Sequence, residues 1–299
     1  MKRLFYGILF PLFVASGGVF AIEWPSKDAT LISNFGESYM GNPMLGDIFS
    51  AKDALGAIEK GEIIFTRGVS APASRFTSPL GVTAVIDHGD GLLSIYSRAG
   101  KLLNGERNQV NAGETIAEAG TSGWSGESGF RLSIFDRHDR RWVNPSFVIP
   151  GLPDTRPPSI RSVRLKGGDG RMFDLASARS VRQGSYAIIV HAVDPGADSG
   201  TALAPARIIC SVNGVETGAI AFDAFSARDG VLMMFSNGLV PVFQIYSNAP
   251  AVEVCEVFLS RGRVTLEIIV QDAAAVTASG VSQSNVSNSR RAVYSLSVE

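Results

Sequence analysis

Apolar and polar positions alternate with a period of two through most of the chain, in short runs broken by glycine, aspartate and proline. This is the pattern of half-buried strands, not of helices. Glu62-Ile63-Ile64-Phe65-Thr66 follows Lys60-Gly61 and reads as a strand. Residues 82–88 form another, which ends in Gly89-Asp90-Gly91 and is resumed at once by residues 92–97. That arrangement predicts a hairpin. Residues 109–117 read as a turn and a strand, and Phe130-Arg131-Leu132-Ser133-Ile134-Phe135 alternates cleanly after a glycine-rich turn. Residues 22–33 read as a polar lead-in, and residues 51–60 carry the only weak helical pattern.

Pro150, Pro153, Pro157 and Pro158 cluster with Gly151, so residues 150–158 cannot be helix or central strand and read as a stiff linker. Beyond it the alternation returns in eight candidate strands, at 159–165, 185–193, 206–212, 219–225, 240–246, 252–259, 263–271 and 292–298. Asn213-Gly214 is a hairpin turn, and Gly167-Gly168-Asp169-Gly170 reads as another. Regular short strands of this kind predict an antiparallel sandwich. Residues 273–289 read as a loop before the last strand. The fold class is therefore all-β, in two domains, at 22–149 and 159–299. The length of 299 residues agrees with that count.

Composition narrows the picture. A hydrophobic content of 45% supplies globular cores, and two cysteines exclude a disulfide-built scaffold. Residues 1–21 begin with Lys2 and Arg3, continue through an apolar run, and close on Val19-Phe20-Ala21, as a cleaved signal peptide does. An exported, periplasmic or envelope-associated protein without a later membrane span follows. The 27 basic residues less Lys2 and Arg3 leave 25 against 28 acids, a balance unsuited to binding nucleic acid. Export would permit Cys210 and Cys255 to form a disulfide, and the alternative is two buried thiols.

Candidate chemistry is sparse. No G-x-S-x-G elbow, P-loop or redox cysteine pair is present. His88, His138 and His191 are the only histidines, and no two have metal-ligand spacing.

Several features in order resemble the lysostaphin-type (LytM) zinc endopeptidases that cut peptidoglycan cross-bridges. They are Asn34-Phe35-Gly36, Gly61 to Phe65, the hairpin ending in Tyr96-Ser97-Arg98, Val110 to Gly120, and Ser125 to Phe135 followed by Asn144-Pro145. The resemblance implies a LytM-like antiparallel sheet domain followed by an immunoglobulin-like β-sandwich. Members of that family hold zinc with a His-x-Gly-x-Asp segment and the second His of His-x-His, assisted by further histidines. Here Met44 and Ile48 stand in the first segment, Arg98 stands where Tyr-x-His has its histidine, and Arg131 and Ser133 replace His-x-His. Asp47 is one position from the expected ligand.

The resemblance thus implies a pseudo-peptidase with no catalytic residue, no metal and no cofactor. It further implies a scaffold or regulator of peptidoglycan hydrolysis whose partner is a cell-wall hydrolase or another envelope protein. An alternative is a peptidoglycan-binding module in which Arg98 and Arg131 grip a carboxylate, with Asp47, His88 and Trp124 in the same groove. Against this, each arginine can pair with an acid such as Asp47, Asp87 or Asp136. A third alternative is an active metalloendopeptidase with atypical ligands.

Overall fold

The computed structural model describes residues 22–68, 78–103, 107–124, 128–149, 154–196, 201–236, 238–274 and 288–299. The expected leader at 1–21, the prolines at 150 and 153, and most of the expected loop at 273–289 lie outside them. The all-β class holds. Strands dominate, and helices are short, as at Pro145–Val148 and Val242–Ile245. No helix among them is long and apolar enough to cross a membrane.

The hairpin forms as its turn dictates. Val82–Asp87 and Leu92–Ala99 pair antiparallel around Gly89, Asp90 and Gly91, all at positive φ. Gly61–Arg67 adds to one side and Gly129–Asp136 to the other. Alternation puts Phe130, Leu132 and Ile134 on a buried face. They join Phe49, Leu55, Ile58, Ile86 and Tyr96 in the first core, where Phe49 stacks on Phe130 with centroids 4.9 Å apart. The lead-in is part of this unit. Thr30–Ser33 pairs with Asp47–Ser50, and Trp24 packs edge-on against Phe49. The weak helical pattern at 51–60 does not form a helix. Ala54–Gly56 is a strand paired with Thr115–Glu118, and this tertiary pairing overrides a weak local preference.

The second half builds two sheets around one core. Val163, Leu165, Ile188 and Val190 of one sheet share that core with Ile208, Leu266, Ile268 and Val270 of the other. Asn213 and Gly214 both take positive φ, as the hairpin between Arg207–Val212 and Val215–Ala221 requires. Two candidate strands differ from expectation. The run at 219–225 is split between Val215–Ala221 and Ala224–Arg228. The run at 240–246 is strand only to Pro241, after which Val242–Ile245 is helical. Val231–Ser236 is a further strand, reached from Ala224–Arg228 through Asp229 and Gly230, both at positive φ.

Those later strands do not join the sandwich. Ala224–Arg228 pairs with Arg141–Val143, bringing Val231–Ser236 and Gly238–Pro241 with it into the sheet of the first half. One eleven-stranded sheet therefore crosses the proline-rich segment. In the reverse direction, Phe35 enters the core of the second half. Gly36 has φ +83, and a Cβ there would meet the Phe222 ring at 2.7 Å, so this close approach requires glycine. Asn34 exchanges two 2.8 Å hydrogen bonds with the backbone of Ala204, and the Tyr246 hydroxyl donates to the Gly36 carbonyl. Asn34-Phe35-Gly36 is a docking tripeptide between the two halves.

Candidate functional site

Gly129–Asp136 lies between Asp47–Ser50 and Leu92–Ala99. In register, Arg131 faces Ile48 on one side and Ser97 on the other, and Ser133 faces Ile95. Residues paired across strands share a face, so Ile48, Ser97, Arg131 and Ser133 line the sheet surface opposite the core. Gly46 lies directly on Ser133, and a Cβ there would sit 2.2 Å from its Oγ. Met44, half-buried, stands two positions earlier.

Arg98 reaches this surface by a local irregularity. Strict alternation after the buried Tyr96 and the outward Ser97 would return Arg98 to the core. The ladder shifts register between Val82 and Ala84, giving Ser97 and Arg98 together one partner position. This bulge leaves Arg98 at φ +62, in the left-handed region, and re-aims its side chain. Its N–H donates to the Leu80 carbonyl at 2.7 Å. The guanidinium comes near enough to Arg131 for like-charge repulsion to push the Arg131 pKa down, after the larger effect of burial. The turn that holds Arg98 also holds Trp124, whose N–H donates to Pro79, and whose ring is 77% exposed.

Among the described residues no ion pair engages either guanidinium. Asp87 is paired with Arg137 at 2.8 Å, and Asp136 with Arg141 at 3.2 Å. Asp47 supplies only through-space attraction to Arg131. Its carboxyl faces away from the trough. Asp47 is fully buried, opposite Leu132 in register, and its Oδ1 accepts the Phe35 N–H at 2.8 Å. Oδ2 makes no well-formed hydrogen bond, although the Ser146 hydroxyl approaches the carboxyl. Burial pushes the Asp47 pKa up to about 7 against the Phe35 and Ser146 hydrogen bonds and the Arg131 charge.

His88 stands elsewhere. Its Nδ1 lies 2.9 Å from the Lys60 carbonyl and its Nε2 2.7 Å from the Ser94 hydroxyl. A carbonyl only accepts, so Nδ1 carries the proton and Nε2 accepts from Ser94. Ser94 is four strand positions from Arg98, roughly 13 Å along the strand. His138 packs on Gly91 in the loop after Phe135, and His191 lies in the second half. Thus Ile48, Arg98, Arg131 and Ser133 come together on one sheet surface, with Trp124 in the turn that holds Arg98, while Asp47 and His88 do not join them. Sequence reading missed Ser97 and the bulge. The alternation of Ser97 with Tyr96 signalled the first, and nothing local signals the second.

Cys210 and Cys255 occupy facing strands of the two sheets of the second half, close enough for their thiols to interact. Both are free thiols, so the expected disulfide is not formed. The sulfurs meet as hydrogen-bonding groups, not at bonding distance.

A protein-family model matches residues 157–296. An uncharacterized protein of Treponema pallidum (strain Nichols) is 29% identical over 145 residues, which are 44% of this chain and 97% of that protein. The murein hydrolase activator NlpD of Salmonella dublin is 31% identical over 135 residues, 45% of this chain and 33% of NlpD. This chain therefore spans about a third of the length of that activator. Among solved structures, a zinc-containing peptidase from Vibrio cholerae is similar at 20% identity and a TM-score of 0.35, over 42% of this chain and 38% of that one. The chain is thus similar in part to murein hydrolase activators.

Proposed function

We propose that this protein is a non-catalytic regulator or scaffold of peptidoglycan hydrolysis, acting in the cell envelope through a protein partner such as a cell-wall hydrolase. Residues 1–21 act as its export signal, residues 22–149 as a degenerate LytM-like domain, and residues 159–299 as an immunoglobulin-like sandwich. One observation carries the reading. The positions that match the family's metal motifs are filled by Ile48, Arg98, Arg131 and Ser133, which share one sheet surface and offer two cations in place of imidazoles. A catalytic zinc needs about three nitrogen, sulfur or carboxylate ligands and an open position. Asp47, the carboxylate within electrostatic reach of Arg131, is buried on the other face. The similarity to NlpD points the same way.

Dye release from labelled peptidoglycan tests this reading. The chain alone should release no dye, and should raise the release by a cell-wall amidase added to it. Chelator-sensitive release by the chain alone would overturn the proposal.

The second reading is direct peptidoglycan binding. It is favoured by two guanidiniums that no ion pair engages among the described residues, and by the exposed Trp124 in the turn that holds Arg98. Guanidinium groups grip carboxylates bidentately, and peptidoglycan stem peptides end in carboxylates. Retention on insoluble peptidoglycan that is unchanged in Arg98→Ala/Arg131→Ala would remove it.

A further inference from the structure

In the second half, Asp154, Asp194 and Asp272 bring their carboxylate oxygens within 4.8 Å of one another. Asp194 and Asp272 are buried, at 7% and 2% exposure. Three turns meet here. Asp154 follows the proline-rich segment, Asp194 closes Gly184–Val193, and Asp272 closes Gly262–Gln271. Asn288 ties them. Its side-chain amide donates to the Asp154 carbonyl at 2.8 Å, and its own carbonyl accepts the Asp272 N–H at 3.3 Å. Asn288 is 3% exposed, and its Oδ1 is buried with no hydrogen-bond donor. This is a second observation, independent of the acids. A buried amide oxygen without a donor is destabilising unless something positive meets it.

Arg156 is within electrostatic reach of Asp194, but its guanidinium donates to the carbonyls of Pro195 and Gly196. Among the described residues it makes no ion pair with Asp154 or Asp194. Asp154 Oδ1 accepts the Arg156 N–H at 2.9 Å and Asp194 Oδ1 accepts the Gly196 N–H at 3.2 Å. These bonds orient both carboxylates. Burial, and then the charges of Asp272 and Asp154, push the Asp194 pKa up to about 7.

We propose that Asp154, Asp194, Asp272 and the Asn288 amide oxygen form a binding site for a divalent cation, calcium by preference, that pins the ends of the second-half strands together. All four donors are oxygens, with no imidazole or thiolate among them, as hard cations require. Calcium takes roughly six to eight oxygens in irregular geometry, which mono- or bidentate carboxylates and an amide can approach. Magnesium demands a stricter octahedron and retains its waters. The site shares no residue with the arginine trough and does not depend on its role.

The test uses the full chain, stripped with chelator and dialysed into metal-free buffer at pH 7.5. Calcium uptake is measured by equilibrium dialysis, and thermal unfolding is followed with and without about 1 mM calcium, the range of extracellular calcium modules. The expected result is one calcium per chain, a rise in Tm of several degrees, and a smaller rise with magnesium at the same ionic strength. Asp194→Asn and Asn288→Leu should each abolish uptake and the calcium response. No calcium uptake by the parent chain at that concentration would overturn the proposal, whether or not the variants fold. So would an equal response to magnesium that persists in Asp194→Asn, because screening alone would then explain it.

Discussion

Phe35 lies against Phe225 with ring centroids 4.8 Å apart and planes inclined by 28°, and neither ring is exposed. Phe35 belongs by sequence to the first half and by packing to the second. Phe35→Ala would open a cavity between Phe225 and Phe222 where backbone pairing prevents collapse. The expected loss is about 3–5 kcal/mol in urea unfolding. It should appear as one weakened transition detected equally by probes in both halves. A loss below about 1 kcal/mol would show that the two halves do not share a core.

Asp47 gives stability a pH dependence of unusual sign. Its pKa is about 7 when folded and near 4 when unfolded. Between those values the folded state holds a proton that the unfolded state has released. Stability contributed by this group is therefore present at low pH, falls as pH rises from about 4 to 7, and stays lower above. The full difference is on the order of 4 kcal/mol. Asp194 titrates in the same window and adds to the trend. Asp47→Asn keeps an oxygen for the Phe35 N–H and removes the charge. It should match the parent at pH 4.5 and exceed its stability at pH 8, as denaturant midpoints can establish. Equal parent and variant midpoints at pH 8 would show that the carboxylate is solvated.

Local alternation and turn chemistry made much of this legible. Leu132 is buried between Arg131 and Ser133 as the period of two requires, and Asn213-Gly214 forms the hairpin its residue types predict. Asp229-Gly230 carries the same turn signal and marks the start of the strand Val231–Ser236. What could not be read is which sheet a strand joins. Ala224–Arg228 alternates equally well in either half, and its pairing with Arg141–Val143 depends on contacts distant in sequence. At the site, residue types at the motif positions were legible, and so was the absence of histidines there. The bulge that turns Arg98 out of the core is set by the Leu80 carbonyl and the strand opposite.

Cys210 and Cys255 should differ in reactivity despite their proximity. Cys210 is wholly buried, and its thiol pKa is pushed up by the Cys255 hydrogen bond and by burial. Cys255 is only half-buried, and the same hydrogen bond draws its pKa down. The thiolate is the reacting species. Iodoacetamide at pH 8 should label Cys255 first in the reduced, folded chain, with Cys210 following only on unfolding. Peptide mapping by mass spectrometry checks the order. Simultaneous labelling in the folded state would mean that the two sheets separate readily at this point.

His88 offers a direct separation of structural from binding roles. Its imidazole bridges the Lys60 carbonyl and the Ser94 hydroxyl, joining the start of Gly61–Arg67 to Leu92–Ala99 from the side. Removing it leaves both groups without that partner and costs about 1–3 kcal/mol. His88→Ala should therefore lower the denaturant midpoint. His88→Gln, which offers a donor and an acceptor at similar reach, should recover part of the loss. Neither change alters the arginine trough, roughly 13 Å along the strand. Retention on peptidoglycan and stimulation of a hydrolase should then match the parent at temperatures where all three chains are folded. A selective loss of either activity in His88→Ala, with stability intact, would instead place His88 in a binding surface that includes the cleft at Gln109 and Asn111.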